Sequence, residues 1–246
     1  MSFADILLRV APSADQELER LSVAVDLAQR LHAKLDGVFV AGSDGKESNW
    51  ARTLFERAVS ATSLETTWRV VDGHSTAGLL FQARRSDLAI LPPAVPGDEW
   101  RAPELIGRES GRPVLVLPQP RQPMSIGHKI LVGWNDTREA IRAIHDAMPI
   151  LVNADSVCVL TVVAGDDLEP MGDRRLADHL RQHGVPVELA RRRGDAAEEI
   201  AAAAREMKAD LLLIGLTPGD QEPARRLGDV TCRFIRTTSL PVFLSY

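Results

Sequence analysis

The 246-residue sequence lacks most of the features that assign a chain to a specialised protein class. It has only two cysteines, Cys158 and Cys232, and neither lies in a CxxC pair or at a metal-ligand spacing. This excludes a disulfide scaffold and a zinc-finger framework, and we expect both thiols to be reduced and buried in the core. No apolar run approaches the roughly 20 residues that a membrane span needs, so we expect no membrane partner.

Excess positive charge is also lacking, because the formal net charge is −5. Such a chain has no bulk electrostatic attraction to nucleic acid or anionic lipid, and we expect neither as a partner. The run Arg191 to Arg193 is a local exception, which we interpret as a solvated edge or strand end. The start, MSFADILLRVAP, has neither a basic segment nor a long apolar one, so the sequence predicts a cytoplasmic protein without a secretory signal.

What the chain does contain is an internal repeat. Four pairs of residues recur at nearly constant offset, which indicates a duplication. The pairs are Ile6 and Ile130 (124 apart), Gly73 and Gly194 (121), Asp87 and Asp210 (123), and Pro113 and Pro241 (128). The segment PQPRQPMSIG between the halves is typical of a linker. We therefore predict domains at 1–118 and 128–246, joined by a linker at 119–127.

Strands and helices alternate in both halves. The predicted strands are Ile6–Val10, Gly37–Val40, Thr66–Val71, Leu88–Leu91, Val114–Leu117, Ile130–Gly133, Ser156–Val163, Pro186–Ala190, Leu211–Ile214 and Val242–Leu244. Predicted helices are Trp50–Ala61, Ser75–Arg85, Arg174–His183, one from Asp195 to about Met207, one with the face Leu18, Leu21, Val25, Ala28 and Leu31, and one that Asp136 and Glu139 open, with the face Ile141, Ile144, Met148 and Leu151. Apolar strands that do not alternate indicate a parallel sheet covered on both faces. Each half is therefore predicted to be a five-stranded, doubly wound α/β domain.

In doubly wound sheets, ligands bind beyond the carboxyl ends of the strands, where the strand order reverses. The candidate site is therefore formed by the loops after the first and fourth strands. In the second half these loops are GWNDT, from Gly133, and GLTPGDQEPARRLGDVT, from Gly215. Glycines let the backbone approach a phosphate, and the N–H groups at a helix start favour anions. Glycine spacing alone is a weak signal, and it favours residues that only shape the turns.

The order of several short segments resembles a tandem universal stress protein. These segments are ILLRV, ILVGWNDTREAIRAI, SGRPVLVLP, KADLLLIG and VTCRFIRTTSLPVFLS, and together they span essentially the whole chain. The resemblance implies two domains of the adenine nucleotide alpha hydrolase type, each a five-stranded parallel sheet between helices. It also implies an internal pseudo-dimer through the last strands, Val114–Leu117 and Val242–Leu244, which would otherwise be exposed sheet edges. A homodimer of the whole chain is a further option.

ATP-binding members of this family carry a motif of Gly, two residues, Gly, nine residues, Gly, and then Ser or Thr. Gly215 and Gly228 fit its outer glycines, but the middle glycine falls on Pro218, with Gly219 one place late, and the hydroxyl position is Asp229. Proline removes an N–H donor, and a carboxylate about 4 Å from a phosphate charge repels it by roughly 1–4 kcal/mol. The cofactor is therefore unknown, with ATP or AMP disfavoured by these two residues.

The predicted cofactor-binding set combines the two loops with their flanking strand ends. It consists of Gly133, Trp134, Asn135, Val162, Gly215, Gly219, Gly228, Asp229, Val230 and Thr231. Asn135 aligns with an Asp that meets the nucleoside in ATP-binding relatives, and it retains hydrogen-bonding groups. Trp134 is able to stack on a base, although a Trp at a strand end is more often packed. The first-half loop, PPAVPGDEWRAPELIGRESGRP, has no matching glycine series, and we predict no nucleotide site there.

The sequence contains no catalytic constellation that we can identify, and we predict no metal site. His179 and His183 are four residues apart on a predicted helix, but they lack the Glu of an HExxH motif, and we interpret them as a solvated helix end. His145 is given no special role, and no GxSxG segment is present. The sequence thus predicts a non-catalytic stress-response binding or signalling module with a degenerate nucleotide loop. The alternatives are an ATP- or AMP-binding protein or slow ATPase that uses this loop, and a binder of an apolar or neutral small molecule.

Overall fold

A computed structural model describes residues 2–10, 17–41, 49–71, 76–93, 102–118, 124–163, 171–216, 231, 234 and 239–246, and within these ranges it has ten strands and seven helices. The strands are β1 (Asp5–Val10), β2 (Lys34–Val40), β3 (Thr66–Val71), β4 (Leu88–Leu91), β5 (Val114–Val116), β6 (Lys129–Trp134), β7 (Ser156–Val163), β8 (Val187–Arg193), β9 (Leu211–Gly215) and β10 (Val242–Ser245). The helices are α1 (Glu17–Arg30), α2 (Asn49–Val59), α3 (Ala77–Ala83), α4 (Ala102–Ser110), α5 (Arg138–Leu151), α6 (Met171–Gln182) and α7 (Ala196–Met207).

The chain divides into two compact units, Met1–Ser125 and Ile126–Tyr246. In the first unit the strand order is β3-β2-β1-β4-β5, and every neighbouring pair is parallel. In the second unit the order is β8-β7-β6-β9-β10, again with parallel pairs. Numbered within its own unit, each sheet reads 3-2-1-4-5, and the order reverses between the first and fourth strands. The predicted fold of two doubly wound α/β domains is confirmed.

The central strands have no polar face, because helices cover both sides of each sheet. All four residues of β4 are buried, as are the first four of β9. The edge strand β8 differs, since most of its side chains are at least partly exposed. It also extends beyond the predicted Ala190 through the three arginines to Arg193, because an edge strand tolerates charged side chains that point into solvent.

One residue of each of two predicted helix faces lies outside the core, while the other members of both faces are buried or half-buried. Leu18 in α1 is 37% exposed and Ile141 in α5 is 41% exposed, although both were assigned to buried faces. In α5 the core side combines Ile144, Ile150 and Leu151 with the small residues Ala140, Ala143 and Ala147. Alanines allow a helix to lie close to the sheet, so a pattern that counted mainly the larger apolar residues misplaced Ile141.

One helix was missed from the sequence. α4 lies in a segment that we treated as an irregular, proline-rich loop, yet Ala102–Ser110 is helical with Ile106 fully buried. Pro103 is the second residue of this helix, where a missing N–H donor costs no intrahelical hydrogen bond. The proline therefore marks the helix start here rather than a loop.

The repeated aspartates fasten the first strand of each unit. Asp87 Oδ2 accepts hydrogen bonds from the backbone N–H groups of Ala4 (2.8 Å) and Asp5 (3.1 Å). Asp210 accepts from three consecutive N–H groups, those of Gly127, His128 and Lys129, at 2.7–3.1 Å. The sequence landmark at offset 123 is thus a structural device that both units use in the same place.

Within the ranges that the structure describes, no helix combines the length and the apolar character that crossing a membrane requires.

Candidate functional site

The candidate site lies at the carboxyl ends of β6 and β9 in the second unit. The two strands pair from Ile130 opposite Leu211 to Val132 opposite Leu213. Gly133 and Trp134 then end β6, while Gly215 ends β9. This is the point at which the strand order reverses, where parallel sheets of this type bind ligands.

Gly215 lies directly beneath the first turn of α5. A Cβ atom added there would lie 2.6 Å from the backbone N of Ala140 and 2.6 Å from the carbonyl carbon of Glu139. Both neighbours are backbone atoms, so a side chain could be accommodated only if the helix moved. The glycine thus brings the N-terminal end of α5, with its positive end of the helix dipole, onto the end of β9.

Gly133 has a different neighbour and a milder constraint. Its added Cβ would lie 2.9 Å from Ile214 Cγ2 and 3.4 Å from Ile200 Cδ1, which are flexible side-chain atoms of β9 and α7. This glycine therefore lets α7 pack on the sheet. It does not itself make an opening for a ligand.

The start of α5 is capped by Thr137. Thr137 Oγ1 accepts from the N–H of Ala140 (3.3 Å) and donates to Oδ1 of Asn135 (2.8 Å). Asp136, which the sequence suggested as the cap, has φ of +53° and lies before the cap. That prediction was wrong by one residue, because Asp136 adopts the left-handed turn conformation that Asn and Asp tolerate.

The contact with Thr137 determines what Asn135 offers at the site. Because its amide oxygen already accepts a hydrogen bond, the exposed Asn135 presents chiefly its Nδ2 donors. An aspartate at this position would be an acceptor only. The site therefore favours a ligand atom that accepts a hydrogen bond at the end of β6.

Trp134 is packed and does not form an open stacking surface. It is only 5% exposed. Its indole Nε1 is buried and has no hydrogen-bond partner among the described residues. Val162 is half-buried near the end of β7, one residue beyond the pairing of Trp134 with Thr161.

Thr231 returns to the start of the fourth-strand loop. Its buried hydroxyl donates to the carbonyl oxygen of Gly215 at 3.3 Å. The described residues on either side of positions 217–230, Leu216 and Thr231, therefore both lie at the end of β9. The predicted site residues Gly219, Gly228, Asp229 and Val230, and also Pro218, lie outside the described residues.

The first unit has a different composition at the equivalent position. The repeat offset of 124 makes Arg9 the residue equivalent to Gly133. Arg9 is 8% exposed. Arg20 of α1 forms an ion pair with the buried Glu17 and donates to the carbonyl oxygen of Arg9 at 3.4 Å. Charged side chains thus fill the end of β1. The sequence signal for this difference was the arginine within the apolar segment ILLRV.

The arginine run in β8 is engaged in ion pairs within its own unit. Arg191 lies 3.7 Å from Asp173, and Arg192 contacts Glu199 at 3.6 Å and also pairs with Glu206. The contact with Arg192 lowers the pKa of the Glu206 carboxyl, mainly through the hydrogen bond, and the same contact raises the pKa of Arg192. The run is the end of an edge strand, as interpreted from the sequence.

Cys158 is free but only partly buried, so the expectation of a thiol buried in the core was wrong. Burial raises the pKa of this thiol, and the nearby Glu188 carboxylate raises it further, while Arg192 acts in the opposite direction. The thiol is therefore held in its unreactive, protonated form. Cys232 lies outside the described residues.

Comparison with known proteins identifies one family. The model of the universal stress protein family matches residues 164–245. A universal stress protein from Archaeoglobus fulgidus DSM 4304 has a similar structure, with a TM-score of 0.73 and 15% sequence identity over 98% of this chain and 95% of that chain. A proposed universal stress protein from Pseudomonas aeruginosa UCBPP-PA14 gives a TM-score of 0.66 at 15% identity over 99% of this chain and 93% of that chain.

At such low identity these two structures establish the fold alone, and no curated protein sequence matches this chain. The resemblance seen in the sequence is nevertheless confirmed. Residues 164–245 match the universal stress protein family, and the whole chain has the fold of a full-length member.

Proposed function

We propose that this chain, with the fold of a universal stress protein, is a non-catalytic stress-response binding module whose second unit keeps the frame of a nucleotide loop. The observation that carries the proposal is the closure of this loop, since Thr231 donates to the carbonyl oxygen of Gly215. The N-terminal end of α5 lies on the same glycine. Both observations support a site at this position, where the resemblance implies that relatives bind nucleotides.

The loop residues themselves argue against phosphate binding. Pro218 supplies no N–H donor, and Asp229 places a negative charge where family motifs have a hydroxyl. The repulsion of roughly 1–4 kcal/mol and the lost charge-assisted hydrogen bond of roughly 1.5–3 kcal/mol together weaken binding by about two orders of magnitude or more. A neutral ligand avoids this cost, and Asn135 offers it a hydrogen-bond donor.

The alternative is an ATP- or AMP-binding protein, or a slow ATPase, that uses the same loop. It is favoured by Arg138, a cation at the first position of α5 whose side chain is largely exposed. Against it, the neighbouring Glu139 lies 3.6 Å from the Arg138 guanidinium and partly neutralises it. The loop chemistry therefore favours the first proposal.

Calorimetric titration of the full chain with ATP, ADP and AMP separates the two readings. We expect no micromolar binding to the wild type, and a gain of about tenfold or more for Asp229→Ser because the repulsive charge is removed. Asp155→Ser serves as the matched control, since Asp155 is an exposed carboxylate elsewhere in the second unit. Micromolar binding by the wild type would establish the alternative. If the nucleotide affinity of Asp229→Ser equals that of the wild type, Asp229 is not part of the site.

Native mass spectrometry of the purified chain tests the neutral-ligand version of the proposal. A retained uncharged small molecule that Asn135→Ala releases is the expected result. A retained nucleotide would instead support the alternative function.

We also propose that the two repeats form an internal pseudo-dimer through β5 and β10. Both strands are short and apolar apart from Ser245, and such a strand left unpaired is an aggregation hazard. Hydrogen exchange tests this, because paired amides exchange slowly. We expect β5 and β10 to be better protected than the edge strands β3 and β8, and equal exchange in all four would contradict the pairing. A homodimer of the whole chain would be detected as a doubled mass in light scattering.

A cytoplasmic location is part of the same proposal, since a free thiol such as Cys158 suits a reducing compartment. Cell fractionation tests it, and recovery from an oxidising compartment would contradict it.

A further inference from the structure

A cavity of about 370 Å³ lies on one face of the first unit's sheet. Its base consists of alternate residues of the paired strands β1 and β2, namely Asp5, Leu7, Lys34, Asp36 and Val38. Successive residues of a strand point to opposite faces, so the intervening Gly37 faces the other way, towards Phe55 of α2. The cavity is therefore on the face opposite α2. It belongs to the first unit alone, whereas the candidate site is formed by residues of the second.

Five charged side chains line this cavity, and three of them interact with one another. Lys34 Nζ lies 3.2 Å from Asp36 Oδ1 and 3.9 Å from Asp5 Oδ1. The other two are Arg69 of β3 and Arg85, just after α3, and neither has a carboxylate partner among the described residues. Three cations against two carboxylates leave the lining with one positive charge in excess.

The guanidinium of Arg85 is held in place by Phe81. Its central carbon lies 3.7 Å from the centre of the Phe81 ring, and its Nη1 donates to the carbonyl oxygen of Phe81 at 2.8 Å. These two contacts fix the guanidinium, so less side-chain freedom is lost when its remaining N–H groups bind an acceptor. Phe81 is 54% exposed and lines the same cavity. A ligand there meets a positioned donor group beside an apolar ring.

We propose that this cavity binds a small organic acid, with its carboxylate on Arg85 and its apolar part against Phe81, while Arg69 supplies a further positive charge. The planar guanidinium matches a carboxylate through two parallel hydrogen bonds. A carboxylate also balances the single excess charge of the lining. A phosphate group carries about −1.5 to −2 at pH 7, which exceeds that charge, and Asp5 and Asp36 would repel it more strongly. The volume of about 370 Å³ is near the lower end for ligand pockets, so the acid is small.

The second unit lacks the two residues that carry this proposal. At the repeat offset of 123, Phe81 is replaced by Ala204 and Arg85 by Lys208. The fold of the repeat therefore does not require a stacked pair of phenylalanine and arginine at this place. The pair is a feature of the first unit, as expected of a binding site that only one repeat possesses.

Titration of the full chain with benzoate, followed by the NMR shifts of its backbone amides, tests this site. We expect a dissociation constant of about 1 mM, which is reasonable for so small a ligand, and the largest shifts in α3, β1 and β2. Benzamide has the same shape without the charge and should bind about tenfold more weakly or less well still. Inorganic phosphate should also bind more weakly than benzoate, because its charge exceeds that of the lining.

Arg85→Gln should weaken benzoate binding by about tenfold or more, and Arg69→Gln by about threefold, because the first removes hydrogen bonds and the second only a charge. Arg57→Gln is the matched control, since Arg57 is an exposed arginine of α2 on the other face of the same sheet, and its affinity should equal that of the wild type. Equal affinities for benzoate and benzamide, normal benzoate binding by Arg85→Gln, or no benzoate binding by the folded wild type would each overturn the proposal. Tighter binding of phosphate than of benzoate would overturn the assignment to a carboxylate.

Discussion

At the scale of single residues, Gly215 bears a tighter steric constraint than Gly133, the other described glycine of the candidate site. An added Cβ would meet backbone atoms of α5 at 2.6 Å, so there is no flexible side chain to yield. Its motif position and its packing role therefore coincide. A glycine that matches a nucleotide motif is here also required by the contact between a strand end and a helix.

Gly215→Ala should destabilise the second unit by about 3 kcal/mol, because α5 must shift to admit the methyl group. Native-state hydrogen exchange of the β6 and β9 amides in a urea series measures this loss. Gly184→Ala is the control, since nothing lies within 4 Å of its added Cβ and only its φ of +81° opposes the change. That variant should cost about 1 kcal/mol. Equal costs for both would show that the helix does not press on Gly215.

Cys158 gives a pH-dependent prediction at the same scale. Its folded pKa is raised by burial and by Glu188, so the fold favours the protonated thiol. Its contribution to stability is complete below about pH 8.5, the ordinary thiol pKa, and is lost as the pH rises through the higher folded pKa. In a Cys232→Ser background, alkylation by iodoacetamide near pH 8 should be slower than that of a free thiol. Adding Glu188→Gln should accelerate it, and a rate equal to that of the free thiol would contradict the assignment.

At the scale of elements, the start of α5 distinguishes two neighbouring residues. The pattern Asp136 to Glu139 predicted Asp136 as the cap, whereas the structure assigns this role to Thr137. Both residue types are good caps in sequence statistics, so composition alone does not choose between them. The backbone decides, because φ of +53° at Asp136 turns the chain before the helix begins.

Thr137→Ala should therefore cost about 1 kcal/mol of stability, as the loss of a cap usually does. Asp136→Gly should be neutral or slightly stabilising, because glycine adopts positive φ without steric cost. Urea unfolding followed by circular dichroism compares the two variants. If Asp136→Gly lost more unfolding free energy than Thr137→Ala, Asp136 would be the helix cap, as the sequence predicted.

Strands were easier to predict than helix faces, for a physical reason. Thr66–Val71, Leu88–Leu91 and Ser156–Val163 were placed to the residue, since each is a β-rich run that polar or turn residues bound. Helix faces depend on which small residues approach the sheet, and Ile141 was misplaced because alanines occupy that contact. α4 was missed because the whole proline-containing segment after β4 was assigned to a loop.

The candidate site was predictable in position but not in detail. The strand order and the loops were deducible from the repeat, and Gly215 and Thr231 do meet. The contact between Asn135 and Thr137 is local to one loop, whereas the packing of Trp134 and the approach of Gly215 to α5 depend on groups that come from different elements. Sequence spacing carries no information about such meetings, because they arise only when the sheet is assembled.

At the scale of the whole molecule, the two repeats share the contacts that hold their first strands but differ in the residues at the ends of those strands. Asp87 and Asp210 hold the first strand of their units in the same manner. By contrast, the ends of these strands differ, with a buried Arg9 in one unit and Gly133 in the other. The repeat thus preserves the residues that build the sheet, while the residues at the ligand position have diverged.

Asp210→Ala should cost about 2–3 kcal/mol, because three backbone N–H groups lose a charged acceptor in a partly buried place. Asp87→Ala should cost somewhat less, since only two N–H groups depend on it. Hydrogen exchange with mass spectrometry should show faster exchange in β6 and β9 for the first variant, and in β1 and β4 for the second. Asp178→Ala, an exposed control on α6, should change neither set. If Asp210→Ala or Asp87→Ala accelerated exchange equally in both units, the two sheets would not be separate structural units. The local role assigned to each aspartate would then be wrong.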